Sequence, residues 1–427
     1  MIKTYLLLWF FFYCFPIHDS IHFLNYSLYI VFNIKATRRA YTACVVMSNN
    51  NVNNLQGRTH ARSVMRVLFS SSSSSGGSIV WESSLHATVV RMRRGKERVH
   101  EKDLVALFKL WWSLVLRPTT TLQWHVRDCP PACLCDTSLG THCYVRIKES
   151  GLRFHYVAAG ERGKPLLLFL HGFPEFWFSW RYQLREFKTE YRVVAIDMRG
   201  YGESDLPLST DSYRLEFLVT DVRDIVEYLG YNRCCLVGHD WGGTIAWIFA
   251  IHYPEMVSKL VVLNCPHPSV FTDYALRHPS QLLKSSHFFF FQLRHFPELM
   301  LSINDFKAVK SLFTSRSSGI GRKGRWLTAE DLEAYLYALS QPGALTGALN
   351  YYRNVFSFFP LSQKHVRSPV LLLWGEHDTF LEQEMAETCR IYIRNHFRLN
   401  IITGASHWLQ QDQPEIVNTL MWTFLKE

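Results

Sequence analysis

The sequence predicts an α/β fold in which helices cover both faces of a mostly parallel sheet and a helical lid is inserted into the chain. Strand-like apolar runs alternate with helical patterns over most of the C-terminal three quarters of the sequence. The stretch 266–365 breaks that alternation with aromatic and helical segments, and is predicted to be the lid. One helical pattern places four apolar residues on the same face: Leu218, Val222, Ile225 and Leu229.

Six short apolar runs are predicted to be strands of this sheet. Each is bounded by turn residues, and most are followed by a helical pattern, as in a chain of strand-helix-strand units. The two parts of the core are predicted to span 117–265 and 366–427, on either side of the lid. The strands are expected at 165–170, 192–196, 234–237, 259–263, 369–373 and 398–402.

The third of these runs leads into the most informative motif of the chain, Gly-His-Asp-Trp-Gly at 238–242. Small residues on both sides of one central residue are typical of a nucleophile elbow, a strained strand-turn-helix that lifts one side chain above the sheet. The central residue is Asp240, and His239 is expected to be a satisfied turn histidine. Attack by aspartate on an sp3 carbon leaves an ester that water can hydrolyse, whereas serine would leave an ether. The motif therefore predicts displacement at the carbon of an epoxide or an alkyl halide.

Two later strand ends supply partners for this carboxylate. Asp378 follows the fifth strand-like run, and His407 follows the sixth. The order nucleophile, acid, histidine is the chain order of the α/β-hydrolases. It predicts a triad of Asp240, Asp378 and His407, with Glu376 as the chief alternative for the acid.

The chain resembles the epoxide hydrolases of the α/β-hydrolase superfamily, and is most similar to a membrane-anchored group among them. The likeness runs from about residue 116 to residue 427. Haloalkane and fluoroacetate dehalogenases share the aspartate elbow, whereas the first motif and the lid sequence favour the epoxide hydrolases. The motifs that carry the resemblance are His-Gly-Phe-Pro-Glu at 171–175, Arg-Gly-Tyr-Gly at 199–202, Gly-His-Asp-Trp-Gly-Gly at 238–243 and Ser-His-Trp-Leu-Gln-Gln-Asp-Gln-Pro at 406–414.

The resemblance implies a two-step reaction. Asp240 would attack an epoxide carbon and form an alkyl-enzyme ester. His407, oriented by Asp378, would then activate the water that hydrolyses this ester. The backbone N–H groups of Phe173 and Trp241 would form the oxyanion hole.

The family also supplies two lid tyrosines that protonate the departing alkoxide. Tyr352 matches one of them, and the adjacent Tyr351 is the less favoured candidate. The second position holds His287, which is a candidate lid proton donor because histidine titrates near neutrality. The alternative is that His287 is a surface residue of the lid and Tyr352 acts alone. The run Phe288 to Phe291 is expected to line an apolar pocket or face lipid, with ordinary core packing as the alternative.

No cofactor, metal or nucleic acid is indicated by the sequence. It contains no Walker loop or dinucleotide fingerprint, and the family works without a cofactor. The net charge of +10 is not accompanied by a nucleic-acid recognition motif, and it fits an anionic membrane surface. Four of the ten cysteines cluster, but neither their spacing nor any histidine suits zinc: Cys129, Cys133, Cys135 and Cys143.

The N-terminal quarter is expected to differ from the rest. Residues 1–103 look poorly ordered, contain an apolar segment at 5–33 and resemble nothing in the family, which suggests an alternative beginning to the chain. Residues 104–116 form a shorter apolar segment. Because a bilayer core requires about 20 residues, we expect this segment to lie at the membrane interface or to anchor the chain only in part.

The sequence therefore predicts an epoxide hydrolase that converts apolar or lipid-derived epoxides and water to vicinal diols. We expect it to associate with the endoplasmic reticulum or another endomembrane, while its oligomeric state stays open. One alternative is a haloalkane-type dehalogenase, which would need halide-holding donors in the lid. Another is a catalytically weak or inactive α/β-hydrolase-fold binding protein, suggested by His287 and by the N-terminal region.

Overall fold

The computed structural model describes residues 123–321, 327–357 and 364–427. The predictions for residues 1–103 and 104–116 lie outside these residues. Within the described ranges, no helix combines the length and apolarity needed to cross a bilayer.

Eight strands form one sheet in the described part of the chain. They are β1 (Thr141–Arg146), β2 (Arg153–Ala159), β3 (Leu166–Leu170), β4 (Arg192–Ile196), β5 (Cys234–His239), β6 (Val257–Leu263), β7 (Val370–Gly375) and β8 (Phe397–Ile402). The spatial order is β1-β2-β4-β3-β5-β6-β7-β8. β2 runs antiparallel to both β1 and β4, and every other neighbouring pair in the sheet is parallel. This mostly parallel sheet confirms the predicted fold class.

All six predicted strands are present, with ends within a few residues of the predicted ones. β3, β5 and β7 are buried along their whole length. Uninterrupted apolar strands of this kind occur where both faces of a sheet are covered. The antiparallel pair β1 and β2 was not predicted.

The helices that the structure describes complete the architecture. They are α1 (Arg181–Phe187), α2 (Leu215–Tyr228), α3 (Trp241–His252), α4 (Pro268–Arg277), α5 (Pro279–Lys284), α6 (Ser286–Phe290), α7 (Phe296–Thr314), α8 (Ala329–Ser340), α9 (Ala344–Arg353), α10 (Glu384–Thr388), α11 (Leu409–Asp412) and α12 (Pro414–Lys426). Single 3-10 turns lie at Ala132–Cys135, Trp177–Trp180, Thr210–Tyr213, Pro254–Met256 and Cys389–Tyr392.

Two helices show how the sequence pattern determines burial. α2 is amphipathic, and Leu218, Val222 and Ile225 are buried on the predicted face, while Leu229 lies just beyond the end of the helix. α3 is apolar all round and packs against β3, β5 and β6. A helix without a polar face must be buried, so α3 packs against the sheet directly after β5.

Helices α4 to α9 occupy the stretch between β6 and β7 that was predicted to be the lid. The longest of them, α7, is interrupted at Ile303–Phe306 by non-helical backbone angles. The carboxylate of Asp305 in this interruption accepts hydrogen bonds from Arg127 (2.8 Å) and Lys310 (2.8 Å). These contacts fix the bend of α7 to the segment that precedes β1.

Candidate active site

The sharp turn between β5 and α3 places Asp240 at its apex. The backbone φ of this residue is 51°, a left-handed value that a residue with a side chain seldom adopts. A Cβ atom added at Gly238 would lie 2.4 Å from the carbonyl oxygen of Gly242. One added at Gly242 would lie 2.2 Å from the carbonyl oxygen of Leu170. Only glycine fits on either side, so the flanking glycines allow the turn to bring Asp240 above β3 and β5.

The two oxygens of the Asp240 carboxylate have different partners. Oδ1 accepts a hydrogen bond of 2.8 Å from the backbone N–H of Phe173, beside the cis Phe173–Pro174 peptide bond. Oδ2 lies 3.7 Å from Nε2 of His407, and 21% of the side chain surface is exposed. Burial raises the pKa of Asp240, but the His407 ring and the Phe173 N–H outweigh it and hold the pKa below its ordinary value. One oxygen is thus fixed while the other is free to react.

His407 and Asp378 complete the constellation. Nδ1 of His407 donates to Oδ2 of Asp378 at 2.7 Å. The other oxygen of Asp378 accepts backbone N–H groups of Phe380 (2.8 Å) and Leu381 (3.0 Å), which fix the carboxylate. Glu376, the alternative acid, instead accepts the N–H of Gly404 at 2.8 Å. The structure therefore brings Asp240, His407 and Asp378 together, in the order that the sequence predicted.

The charge of the His407 ring is controlled by these two carboxylates. Burial disfavours the imidazolium form, but the negative charges and hydrogen bonds of Asp378 and Asp240 outweigh it and raise the pKa to about 10. At neutral pH the ring is therefore an imidazolium held between two carboxylates. Loss of either negative charge would lower this pKa.

Groups that the sequence analysis did not assign hold the backbone of His407. Its carbonyl oxygen accepts hydrogen bonds from Nδ2 of Asn264 (2.7 Å) and from Nε2 of His239 (2.9 Å). The other ring nitrogen of His239 lies 2.7 Å from a Glu175 carboxylate oxygen, and both side chains are fully buried. Glu175 belongs to the His-Gly-Phe-Pro-Glu motif, so a sequence signal existed for it, whereas Asn264 is marked only by its place after β6.

Tyr352 reaches the site from the lid helix α9. Its ring centroid lies 5.1 Å from that of Trp241, 5.2 Å from that of Phe173 and 4.9 Å from that of Phe291. Burial and the nearby charge of Asp240 raise the pKa of Tyr352 well above its ordinary value. A hydrogen bond with Trp241 acts in the opposite direction but does not outweigh them. The hydroxyl therefore keeps its proton at neutral pH and can donate it.

Tyr351, the neighbouring tyrosine, has a different environment. Its hydroxyl donates to the carbonyl oxygen of Arg199 at 2.7 Å, and its side chain is buried. This hydrogen bond connects the lid to the loop after β4. Tyr351 is therefore oriented for packing, and Tyr352 is the tyrosine whose ring packs on Phe173 and Trp241.

His287 lies close to Tyr352, with 5.6 Å between the ring centroids. Its Nδ1 is 3.1 Å from the carbonyl oxygen of Lys284, which can only accept, so Nδ1 carries the hydrogen. Burial lowers the pKa of His287 to about 4, although the charge of Asp240 acts in the opposite direction. The ring is therefore neutral at pH 7, and its Nε2 is an acceptor. Proton donation by His287 stays a prediction, which this geometry does not favour.

The phenylalanine run in the lid divides between two environments. The rings of Phe288 and Phe291 pack on Tyr352 at centroid distances of 5.2 Å and 4.9 Å. Phe289 points away from them, is 46% exposed and stacks on Phe356. Phe288 and Phe291 therefore belong to the aromatic cluster around Tyr352, whereas Phe289 does not.

The position of Trp241 suits its predicted oxyanion role. It is the first residue of α3, directly after Asp240. Backbone N–H groups in the first turn of a helix have no partner within the helix and lie at its positive end. The Phe173 N–H donates to the Asp240 carboxylate, and the Trp241 N–H follows Asp240 directly along the chain. The oxyanion role of each stays a prediction.

Comparison with known proteins agrees with this geometry. Residues 165–414 match the family described as the alpha/beta hydrolase fold. The chain is 67% identical over 323 residues to human epoxide hydrolase 4, covering 76% of this chain and 89% of that relative.

Solved structures give the same result. An epoxide hydrolase of Bacillus megaterium in complex with an inhibitor is similar to this chain, with a TM-score of 0.61 and 34% identity, over 67% of this chain and all 100% of that one. A mutant of the same enzyme, complexed with its naphthyloxy-propanediol product, has a TM-score of 0.60 and 33% identity over 67% of this chain and 100% of that one. All three matches are to proteins named epoxide hydrolases, so they give no support to the dehalogenase alternative.

Proposed function

Because the chain belongs to the α/β-hydrolase fold family and, within it, to the epoxide hydrolases, we propose that it opens apolar epoxides to vicinal diols through an ester of Asp240. The observation that carries this proposal is the asymmetry of the Asp240 carboxylate. Its Oδ1 is held by the Phe173 N–H, while Oδ2 faces His407 and a partly open site. A nucleophile needs one fixed and one reactive oxygen to attack along a defined line.

In the first step, Oδ2 of Asp240 attacks an epoxide carbon. The new C–O bond forms as the ring C–O bond breaks, and the ring oxygen leaves as an alkoxide. The Tyr352 hydroxyl transfers its proton to this alkoxide, which becomes the first hydroxyl of the product. The high pKa of Tyr352 suits this task, because the proton is present at neutral pH and is passed to a still stronger base.

Formation of the ester changes the charge of the site. Asp240 loses its negative charge, so only Asp378 continues to stabilise the His407 imidazolium, and the pKa of His407 falls. The ring then releases its proton, which restores the Tyr352 hydroxyl. His407 becomes a neutral base only after the covalent intermediate exists.

In the second step, Nε2 of His407 takes a proton from water, and the hydroxide attacks the ester carbon of Asp240. The carbonyl oxygen becomes an oxyanion, which the N–H groups of Phe173 and Trp241 stabilise. The tetrahedral species then expels the second alkoxide, which takes the proton from His407. The new carboxyl group of Asp240 transfers its proton to the His407 ring, which restores the resting carboxylate and imidazolium. The sum of both steps is one epoxide plus one water giving one diol.

The substrate class follows from the walls of the site. Aromatic rings of Phe173, Trp241, Phe288 and Phe291 surround the Tyr352 ring. Such a wall favours an epoxide with apolar substituents, including one derived from a lipid.

We further propose that the protein associates with a membrane surface of the endoplasmic reticulum or another endomembrane. Support comes from the net charge of +10 and from the apolar segments 5–33 and 104–116. Fractionation of cells that express the full chain, followed by a carbonate wash and a detergent wash, tests this proposal. Recovery in the cytosolic fraction would contradict it.

The catalytic proposal is tested by single-turnover reaction of excess enzyme with styrene oxide in water enriched in the heavy oxygen isotope. Water oxygen attacks the ester carbon, so one heavy oxygen should enter the peptide that contains Asp240, and the first diol should carry none. Asp240→Ala should form no diol, while Asp211→Ala, which changes an exposed acid of a surface turn, should remain active. Heavy oxygen that enters the first diol directly would overturn the ester mechanism.

A further inference from the structure

A second cluster of ionisable side chains lies outside the catalytic constellation, on the antiparallel hairpin of β1 and β2. His142 and Tyr144 project from the same face of β1, since side chains two residues apart share a face. Tyr144 pairs directly with His155 on β2, which places both histidines on this face. The carboxylate of Glu203, in the loop after β4, approaches them. One ligand atom from each of His142, His155 and Glu203 lies within 4.8 Å of the others.

The orientation of the His155 ring is fixed by a buried carboxylate, that of Asp197. Its Nδ1 lies 2.7 Å from Oδ2 of Asp197, a carboxylate that can only accept, so Nδ1 carries a hydrogen. Asp197 is itself held by backbone N–H groups of Trp177 (2.9 Å) and Glu203 (3.0 Å). His155 and Asp197 are both fully buried. Nε2 of His155 therefore points towards His142 with a lone pair when the ring is neutral.

The His142 ring is fixed in the complementary sense. Its Nε2 lies 3.0 Å from the carbonyl oxygen of Leu134, so this nitrogen carries the hydrogen and Nδ1 has the lone pair. Nδ1 of His142 and Nε2 of His155 are only 2.9 Å apart. If both rings were neutral, the lone pairs of these two nitrogens would face and repel each other at that distance. The arrangement requires a cation between or beside the nitrogens, either an extra proton or a metal ion.

From this geometry we propose that His142, His155 and Glu203 bind a divalent transition-metal ion of the zinc class. Two imidazole nitrogens and one carboxylate oxygen are a common three-residue zinc set that leaves a position for water. Metal-bound histidines almost always donate their second N–H to a carboxylate or a backbone carbonyl. Asp197 and Leu134 supply one partner of each kind. This pairing is what distinguishes the cluster from a chance meeting of side chains.

The surroundings of the cluster allow entry and hold the ion once bound. His155 is buried and His142 partly buried, whereas Glu203 is exposed, so an ion can enter from the Glu203 side. The edge of the Trp177 ring packs on the His142 ring at a centroid distance of 5.1 Å. Small shifts of the rings would suffice, because nitrogens that share a tetrahedral zinc ion lie about 3.3 Å apart.

A bound ion would connect three elements of the fold. It would link the hairpin of β1 and β2 to the loop after β4, and through Asp197 to the 3-10 turn Trp177–Trp180 that follows the Phe173 loop. An ion that binds only the native state stabilises it by mass action. The ion is therefore structural in this proposal, and the chemistry at Asp240 does not need it. The proposal departs from the prediction that the chain binds no metal.

Zinc binding to the chelator-treated full chain tests the proposal. Under reducing conditions, equilibrium dialysis against Zn²⁺ should give one tightly bound ion that His142→Ala removes. Saturating Zn²⁺ should raise Tm by about 5 °C in the unsubstituted chain and not in this variant. Glu203→Gln, an exposed change that keeps an oxygen acceptor for the Tyr144 hydroxyl on β1, should weaken binding by at least about 10-fold. His396→Ala removes an exposed histidine next to β8, at the opposite edge of the sheet. This variant should bind zinc as the unsubstituted chain does.

Cobalt replaces zinc as a probe of the ligand set. A nitrogen and oxygen site gives weak visible bands, whereas thiolate ligands add strong charge-transfer absorption in the near ultraviolet. The proposal predicts visible bands without thiolate absorption, and their loss in His142→Ala. Zinc uptake that is equal in His142→Ala and the unsubstituted chain would overturn it. So would thiolate absorption, which would place the ion on cysteines, or no uptake at all, which would leave a proton between the two rings.

Discussion

The elbow and the lid both position groups around the Asp240 carboxylate, but the elbow does so with its backbone and the lid with its side chains. At the elbow, backbone geometry positions the nucleophile. Asp240 has a φ of 51°, and Gly238 and Gly242 leave no room for a Cβ atom. The oxygen that Phe173 holds is therefore placed by main-chain atoms. Few substitutions are compatible with such a turn.

The lid positions its groups through side chains. Tyr352 is held by rings at centroid distances between 4.9 Å and 5.2 Å, from Phe291, Trp241, Phe173 and Phe288. Aromatic packing of this kind tolerates exchange of one apolar side chain for another. The difference leads us to expect that the elbow controls formation of the proposed ester, whereas the lid controls its rate and the choice of epoxide. Substitutions in the two regions should therefore differ in kind.

The largest loss is expected from Gly172→Ala, in the loop after β3 that faces the Asp240 side chain of the elbow. The added Cβ would lie 2.4 Å from Cβ of Asp240 and 2.6 Å from its Oδ1. The carboxylate would have to leave the Phe173 N–H, which removes both alignment and an oxyanion donor. We expect kcat to fall by roughly 1000-fold, measured as diol formation at saturating epoxide.

The control for this change is Gly151→Ala in the turn between β1 and β2. Gly151 has a φ of +70° and no atom near its absent side chain. Alanine there should cost about 1 kcal/mol of stability through its backbone alone and leave kcat unchanged. Equal activity losses in both variants would show that the elbow is not specially constrained.

A smaller loss is expected in the lid, from Tyr352→Phe. Without the hydroxyl, the alkoxide leaves unprotonated, and we expect kcat to fall about 100-fold. The matched variant Tyr351→Phe loses only the hydrogen bond to the Arg199 carbonyl. It should be destabilised by about 1 kcal/mol and keep most of its activity. If Tyr351→Phe lost more activity than Tyr352→Phe, the two tyrosines would have exchanged roles.

A gain is expected from His287→Tyr, which adds a second hydroxyl beside Tyr352. The neutral His287 ring donates through Nδ1 to Lys284 and offers the site only an acceptor. A tyrosine there would share the developing alkoxide charge, and kcat should rise about 10-fold. His278→Tyr, also in the lid but hydrogen-bonded to Tyr274 at its surface, serves as the control. Activity that falls in His287→Tyr would mean that the histidine itself participates.

The last prediction concerns stability and not activity, and it is a pH dependence that originates in the core. The folded-state pKa of His407 is about 10, above the ordinary value of 6.5. The resulting stabilisation is fully present below pH 6.5 and is lost as the pH rises towards 10. Urea unfolding of the unsubstituted chain and His407→Gln should give free energies that differ most below pH 6.5. A difference that instead widens with rising pH would contradict the imidazolium state.

The parallel part of the sheet could be predicted because its strands are buried on both faces. Runs such as 166–170 and 370–375 are uniformly apolar, and their lengths identify them as strands. β1 and β2 were missed because they carry polar residues. β1 alternates exposed and buried positions around Tyr144. β2 contains His155, which is buried together with its partner Asp197, the residue directly after β4.

The placement of the candidate catalytic residues could be predicted for a related reason. Asp240, Asp378 and His407 each stand at the end of a strand, and a parallel sheet collects such ends at one edge. The support for His407 could not be predicted, since Asn264 and His239 act through a carbonyl that no pattern marks. The protonation state of a lid side chain could not be predicted either, because it depends on which rings bury that side chain. The proposed metal site shows the same limit, because the tautomers of His142 and His155 depend on the Leu134 carbonyl in a 3-10 turn and on Asp197 after β4.

The central claim is that Asp240 becomes esterified, and a variant that cannot hydrolyse the ester tests it most directly. His407→Gln keeps the Asp240 carboxylate and its contact with the Phe173 N–H but lacks the base for the second step. After incubation with styrene oxide and rapid acid quench, mass spectrometry should find the Asp240 peptide heavier by one epoxide. The double variant Asp240→Asn with His407→Gln should show no such adduct. An unmodified Asp240 peptide in His407→Gln, or an adduct on another residue, would contradict the account.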